Sequence, residues 1–523
     1  MTTQTPPSDH IDANGWWVLV VTVVASSIAY IMQAALNVAL PVIQIELDAS
    51  GADVLWIINA YLLFLSSFLL VGGAWGDLFG RRRVFVIGIL IFTGASIVCG
   101  LASNTTILIV ARAIQGFGGA LMVPGSLAII AAYFDDATRG RAVSIWATFT
   151  TGATLFASVL GGVLADLGIW RAIFWVTIPL SLFSLYGLLT RVPESYDKKA
   201  SKHIDWLGTA LITVSLGLIV YGATELGRTP TFDNPRLLWI MLIGALLMGV
   251  FVWVEQRIPQ PILPLKLFRS PTFTGINILT FCLYGALTTV LTFIPLLLQQ
   301  VQNYSATAAG LVDMPITILM AVLSGWAGTL NSKYGPRRPM IVGSIIAGAG
   351  FALLAIPDIT TGPVTYWLTY FPGFFVLGVA FGIINAPLTN AALSSVPQRY
   401  SGLASGINHA MARAAGVLLL AFMGGISIVS FGNTLQTSLV DIPISAENTA
   451  QLIENASDFA NIAIPNTIAP DLYPQTERAV NHALLNVFRV LMLIAAALCW
   501  IGTLVSHFII EDTLDPHNEL DTD

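Results

Sequence analysis

Four of the ionisable side chains that stand inside otherwise apolar stretches of this chain could do chemistry: Arg112, Asp313, His409 and Arg413. Groups of this kind are costly to bury in such surroundings and mark proton or solute paths rather than sites of bond breaking. Arg112 follows about seven helical residues, roughly 10 Å of rise, and burying its guanidinium there costs at least ~2.5 kcal/mol unless it is paired or faces water. Gly116, Gly118 and Gly119 form a small-residue face beside it that favours a functional role over a structural one in which it snorkels to the exported interface. His409 and Arg413 are i, i+4 and share one helical face, with Asn408 beside them. The imidazole can carry a proton there, or simply hydrogen-bond a Ser or Asn of a neighbouring helix. Asp313 sits in Leu311-Val312-Asp313-Met314-Pro315, where the proline permits a kink. Its carboxylate reads as a proton carrier or as an interfacial residue reached by water. The six histidines are scattered, and no zinc-ligand spacing or nucleophile motif accompanies them, so no catalytic residue, cofactor or metal is expected.

Elements that cross a bilayer are needed to hold such groups, and the composition supplies them: 55% hydrophobic against 10% charged residues, where soluble proteins carry about 25% charged. The 523 residues divide into fourteen candidate spans near 16–37, 54–75, 84–103, 106–132, 142–165, 170–190, 205–225, 237–254, 273–298, 307–330, 339–357, 365–393, 402–430 and 485–510. Between the second and third lies Gly73-Ala74-Trp75-Gly76-Asp77-Leu78-Phe79-Gly80-Arg81-Arg82-Arg83, a short polar hairpin of the kind that faces the cytoplasm. Gly328, Ser332, Gly335, Arg337 and Arg338 repeat Gly73, Asp77, Gly80, Arg82 and Arg83 at a constant offset of 255 residues. Two similar bundles are implied, the architecture of many secondary transporters. With the N-terminus inside, sixteen of the 23 Lys and Arg residues fall on cytoplasmic segments, four outside (Arg171, Arg228, Arg236, Arg478) and three within spans (Arg112, Arg413, Arg489). That asymmetry sets the topology and puts both termini in the cytoplasm, including a tail with Asp512, Asp515 and Glu519.

The organisation expected is an all-α polytopic protein: a first six-helix bundle over 1–195, a linker and inserted helix pair over 196–262 beginning with Lys198, Lys199 and Lys202, and a second six-helix bundle over 263–523. One exported loop, about 431–484, is much longer than the rest. The net charge of −6 belongs to the loops and is no nucleic-acid signal. Asp9 and Asp12 replace the basic region of a cleaved signal peptide, so the first span reads as an uncleaved anchor. Cys99, Cys282 and Cys499 lie in or at the edge of spans and imply no disulfide framework. A channel would need pore rings or filter loops, which the internal repeat argues against; a membrane sensor remains as the non-transporting alternative.

The Gly73–Arg83 run resembles the loop motif of the major facilitator superfamily. Further matching segments are Leu36-Asn37-Val38-Ala39-Leu40-Pro41, Ala60-Tyr61-Leu62-Leu63, Arg112-Ala113-Ile114-Gln115-Gly116-Phe117-Gly118-Gly119-Ala120 and Gly402-Leu403-Ala404-Ser405-Gly406-Ile407-Asn408. The fourteen-span layout is similar to the drug:proton antiporter branch. The resemblance implies the major facilitator fold with an inserted helix pair, and a monomer in a bacterial inner membrane. It further implies proton-coupled efflux of a small amphipathic or lipophilic compound or a metabolite, with uptake or uncoupled facilitation as the alternative. It gives Arg112 a part in proton coupling. The hairpin residues Gly73, Asp77, Gly80, Arg81 and Arg82 would act as a gate, Asp77 accepting from helix N-terminal amides and pairing with an adjacent arginine; three arginines could also serve as a topogenic signal alone. Substrate contacts are expected from Gln33, Asn37, Asn59, Tyr61, Gln115, Tyr284, Asn385, Asn390 and Asn408, although each could instead bond helix to helix. Two departures bear on antiport. Met32 stands where the branch usually has an aspartate, and Ala157-Ser158 stand ahead of Gly161-Gly162 where Gly-Pro is usual. The proton-linked role is then expected of Asp313 or His409, with Arg112 and Arg413.

Overall fold

The computed structural model describes residues 11–511 apart from 197–204, 227–234, 260, 361, 398–399, 441, 457–461 and 463. The expected linker lysines Lys198, Lys199 and Lys202 and the tail acids Asp512, Asp515 and Glu519 lie outside the described residues. Among the described residues fourteen helices are long and apolar enough to cross a membrane, the backbone form that a bilayer favours. In chain order the helices are α1 (Ala13–Glu46), α2 (Gly51–Phe79), α3 (Arg81–Gly100), α4 (Thr105–Tyr133), α5 (Asp136–Asp166), α6 (Ala172–Arg191), α7 (Trp206–Leu226) and α8 (Pro235–Glu255). They continue as α9 (Pro271–Gln300), α10 (Ala306–Leu311), α11 (Met314–Tyr334), α12 (Arg337–Leu354), α13 (Tyr366–Thr369), α14 (Phe371–Ser394), α15 (Ser401–Ser438), α16 (Ala446–Glu454) and α17 (Tyr473–Phe508).

Starts are set by side-chain caps: Asp12, Asn104, Asp135, Ser270 and Ser305 accept from amides of the helices they precede, and Ser50 with Asp53 forms a reciprocal capping box. In the first half α2 packs on α4, α3 on α4 and α1 on α5 and α6. Contact is close because glycines face backbone: a Cβ on Gly72 would run into the Ala120 carbonyl, and one on Gly118 into the Phe92 amide. In the second half α9 packs on α15 and α17, α11 and α12 on α14, and α12 on α17. Helices α7 and α8 pack on each other, and α7 also touches α2 and α15.

Two features differ from the sequence reading. The span expected over 307–330 is broken at Val312–Asp313 into α10 and α11, because Pro315 at the start of α11 cannot donate the hydrogen bond that would carry the helix through. The long exported loop is shorter than 431–484, since α15 runs on to Ser438 and α17 begins at Tyr473. Between them α16 is capped by Ser445 and buries Leu452.

Candidate functional site

Arg112 lies on the side of α4 that meets α2, and the helices close on it because Gly116 has no side chain; a Cβ there would strike the carbonyl of Tyr61. The guanidinium carbon sits 4.1 Å from the Tyr61 ring centroid. Its Nε donates to the Ile57 carbonyl at 3.1 Å and its Nη1 to Oε1 of Gln115 at 2.5 Å. The Gln115 amide donates onward to Oγ of Ser96 at 2.7 Å. Arg112 and Tyr61 are each 1% exposed, so the arginine does not snorkel to the interface. No carboxylate among the described residues is within ion-pair distance of it. Its charge is held by neutral dipoles and a π face, a costly arrangement that only a fully bonded site sustains.

Arg413 of α15 reaches across the boundary between the halves. Its Nη1 donates to Oε1 of Gln33 on α1 at 3.1 Å, and its guanidinium carbon is 5.5 Å from the Tyr30 ring centroid. Tyr61 and Tyr284 lie within its electrostatic reach, so Tyr61 stands between two arginines. Tyr284 donates to Oδ1 of Asn385 at 3.0 Å and packs edge-on against Phe381. Tyr30, Gln33, Tyr284 and Arg413 are half-buried, and His409, one turn from Arg413 on the same stripe of α15, is exposed. An exposed imidazole beside half-buried tyrosines inside a spanning helix places open space on that side of the cluster.

The hairpin between α2 and α3 turns on Gly80, whose φ of 110° favours glycine. Asp77 pairs with Arg81 at 2.8 Å one turn away. In this state the helix amides are taken by Glu194, which accepts from the Arg82 and Arg83 amides at 3.0 and 3.2 Å; the latch expected of Asp77 belongs to the state closed on the hairpin face. Glu194 fits the N-terminus of α3 because an anion there meets unsatisfied N–H groups and the positive end of the helix dipole. Arg81 also bonds the Ala128 carbonyl and Arg82 the Val192 carbonyl. Every polar partner of Asp77, Arg81, Arg82 and Glu194 among the described residues belongs to the first half or to the segment that follows α6. The other end of the molecule is joined differently. Asp166, the last residue of α5, accepts from the Ala306 and Thr307 amides at 2.8 and 2.9 Å and from the Thr307 hydroxyl at 2.6 Å. Gln299 of α9 donates to the Val38 carbonyl of α1 at 2.8 Å. Gly162 and Gly310 let α5 and α10 meet backbone to backbone. The halves are therefore sealed at the face opposite the hairpin.

Of the residues expected to act, the structure gathers Gln33, Tyr61, Arg112, Gln115, Tyr284, Asn385, His409 and Arg413 around one centre. Three lie elsewhere. Asn59 is buried against α7, 3.5 Å from the Thr224 hydroxyl, and Asn408 is buried against α9, donating to Thr280 at 2.8 Å; both join helices rather than face the cavity. Asp313 sits at the α10–α11 break, where Tyr366 donates to the adjacent Val312 carbonyl at 2.9 Å. Asn37 is half-buried on α1 and Asn390 exposed on α14. Residues not singled out from sequence are Tyr30, Glu194, Asp166, Gln299 and Ser96. Tyr30 was findable as the i−3 neighbour of Gln33, and Glu194 as an acid following the sixth span on the same face as three arginines. Nothing local marks Asp166, whose partners are 140 residues away.

A family model described as Major Facilitator Superfamily matches residues 22–420. The chain is 30% identical over 434 residues to the multidrug resistance protein Stp of Mycobacterium tuberculosis, covering 81% of this chain and 78% of that one. It is 27% identical over 484 residues to the tetracenomycin C resistance and export protein of Streptomyces glaucescens, covering 91% and 88%. Among solved structures, a bacterial homolog of the human lysosomal transporter Spinster, inward-facing and unoccupied, superposes with a TM-score of 0.66 at 18% identity over 97% of this chain and 99% of that one. That likeness shows the fold.

Proposed function

The chain belongs to the major facilitator superfamily, and from that premise we propose that it is a proton-coupled exporter of small amphipathic or lipophilic compounds. It works as a monomer in a bacterial inner membrane with both termini in the cytoplasm. Residues 1–195 and 263–523 are the two bodies that rock, and 196–262 is the inserted pair. The observation that carries the reading is a polar seal between the halves at the face opposite the hairpin. The Asp166 clasp and the Gln299–Val38 bond join the halves opposite the hairpin, while the hairpin's own ion pairs stay within one half. The positive-inside rule puts the arginine hairpin in the cytoplasm. The described state is then closed to the outside, with His409 and Arg413 facing the side from which an exporter loads. The names of the relatives, resistance and export proteins, support the direction.

The proton-carrying role falls to His409 before Asp313, because His409 is exposed beside the central cluster whereas Asp313 lies at the helix break near Tyr366. Asp77 closes the hairpin face in the other state. Uncoupled facilitation is the second reading, favoured by the fully buried Met32. Purified protein in liposomes under an imposed pH gradient separates the two. Gradient-dependent transport that His409→Gln abolishes supports the first reading, and transport indifferent to the gradient supports the second. Greater energy-dependent accumulation of a solute in overproducing cells would reverse the direction.

A further inference from the structure

We propose, resting on the export reading above, that the central cavity selects amphipathic organic anions and that Arg413 receives their charged end. The sign of charge inside the membrane carries this. Of the Asp and Glu residues in described spanning helices, all but Asp313 stand at or near helix ends: Glu46, Asp53, Asp77, Asp136, Asp166, Glu225, Glu255 and Glu477. Asp313 belongs to the second half, beside Tyr366 and away from the cluster. The centre itself holds Arg413, His409 and, behind the Tyr61 ring, Arg112, with no carboxylate in ion-pair reach of either arginine among the described residues.

The two arginines are provided for differently. Arg112 is buried, with Ile57, Gln115 and Tyr61 engaging its guanidinium. Among the described residues Arg413 has one hydrogen bond, to the Gln33 amide oxygen, and it stays half-buried beside open space. Its remaining N–H donors suit a planar oxyanion, which a guanidinium binds in a two-pronged fashion. The half-buried rings of Tyr30, 5.5 Å from the Arg413 guanidinium carbon, and of Tyr284 give a flat apolar body a surface to lie on. A lipophilic cation in the same place meets guanidinium groups and finds no counter-charge, a repulsion that discriminates as strongly as any attraction. The ligand class is therefore a carboxylate carried on an aromatic frame.

Two xanthene dyes of like frame test this: fluorescein, an anion, and rhodamine 6G, a cation. Transport of each is measured in proteoliposomes under an imposed pH gradient, with binding followed by fluorescence polarisation. Wild-type protein should favour fluorescein by about tenfold or more, the scale of one charge-assisted contact. Arg413→Gln should collapse that ratio, and Arg413→Lys should recover part of it by restoring the charge without the fork. Rhodamine 6G moved as well as fluorescein, or an unchanged ratio in Arg413→Gln, overturns anion selection and leaves export standing. Neither dye moved or bound by the wild type overturns both. Should Arg413→Gln fail to fold, displacement of bound fluorescein from wild-type protein by benzoate but not by benzylamine supports the proposal, and the reverse order overturns it.

Discussion

Removing the Asp166 carboxylate should open the face that the structure holds shut. Asp166→Ala deletes three hydrogen bonds that join α5 to α10, to the Ala306 and Thr307 amides and the Thr307 hydroxyl, at 2.6 to 2.9 Å. A bond to a charged acceptor contributes about 1.5–3 kcal/mol in a protected site. Asp166 is exposed, however, and solvent screening reduces the set to roughly 1–2 kcal/mol in total. That shifts the equilibrium between closed and open forms of this face by about 5- to 30-fold. Spin labels at Leu167 and Leu311, both exposed and on opposite halves, report the separation by pulsed EPR. The native Cys99, Cys282 and Cys499 are buried and leave the background low. Asp166→Ala should populate a longer distance, and Asp166→Asn, keeping one acceptor oxygen, should fall between. Identical distance distributions in wild type and Asp166→Ala would refute the clasp.

Three further outcomes follow from named contacts. Asp77→Asn should leave the described state's stability within about 1 kcal/mol, since the Arg81 pair is a partly exposed i, i+4 bridge, yet should slow transport at unchanged expression; a wild-type rate removes the gating role. Glu194→Gln should lower the thermal midpoint in detergent by the equivalent of about 1 kcal/mol through loss of the α3 cap, read by scanning fluorimetry against a wild-type curve, with coincident curves counting against the cap. Gly116→Val drives a branched side chain into the Tyr61 carbonyl and should cost about 1–3 kcal/mol or more, seen as loss of the monodisperse peak; a normal yield would mean that α2 and α4 can part without consequence.

What could be read from the chain follows the range of the interactions involved. Spans, hairpin and the i, i+4 relation of His409 and Arg413 depend on local hydropathy and helical period, and apart from the break in the tenth span they appear in the structure where the residues place them. Arg112 was legible as costly, but its partners beyond Gln115 were not, because Ile57 and Tyr61 come from α2, and Ser96, which takes the Gln115 amide, comes from α3. Amides behave least predictably. Asn385 faces Tyr284 and the cavity, while Asn408, one helical position from His409, turns into α9, and only the rotation of each helix in its bundle separates the two outcomes. The break at Asp313 was half legible: Pro315 announces a kink, yet whether the carboxylate then faces the cavity depends on how α14 packs against α11.

The absence, among the described residues, of a carboxylate at the centre and the proposed preference for anions explain one another. Met32 is fully buried within α1, so the position that usually carries an aspartate is closed to protons from the cavity. An exporter of cations would feel that loss, because moving a positive charge out of an inside-negative cell opposes about 2.3 kcal/mol per charge per 100 mV. For a monovalent anion the same field favours exit, by about 50-fold at 100 mV. A proton link through His409, even a weak one, then adds to an outward flux that the potential already favours. Fluorescein export from proteoliposomes should accordingly respond to a potassium-diffusion potential, negative on the loading side, with no pH gradient imposed, and rhodamine 6G should not. If fluorescein moves only when a pH gradient is present, a tightly coupled proton site exists, and His409 or Asp313 must supply it.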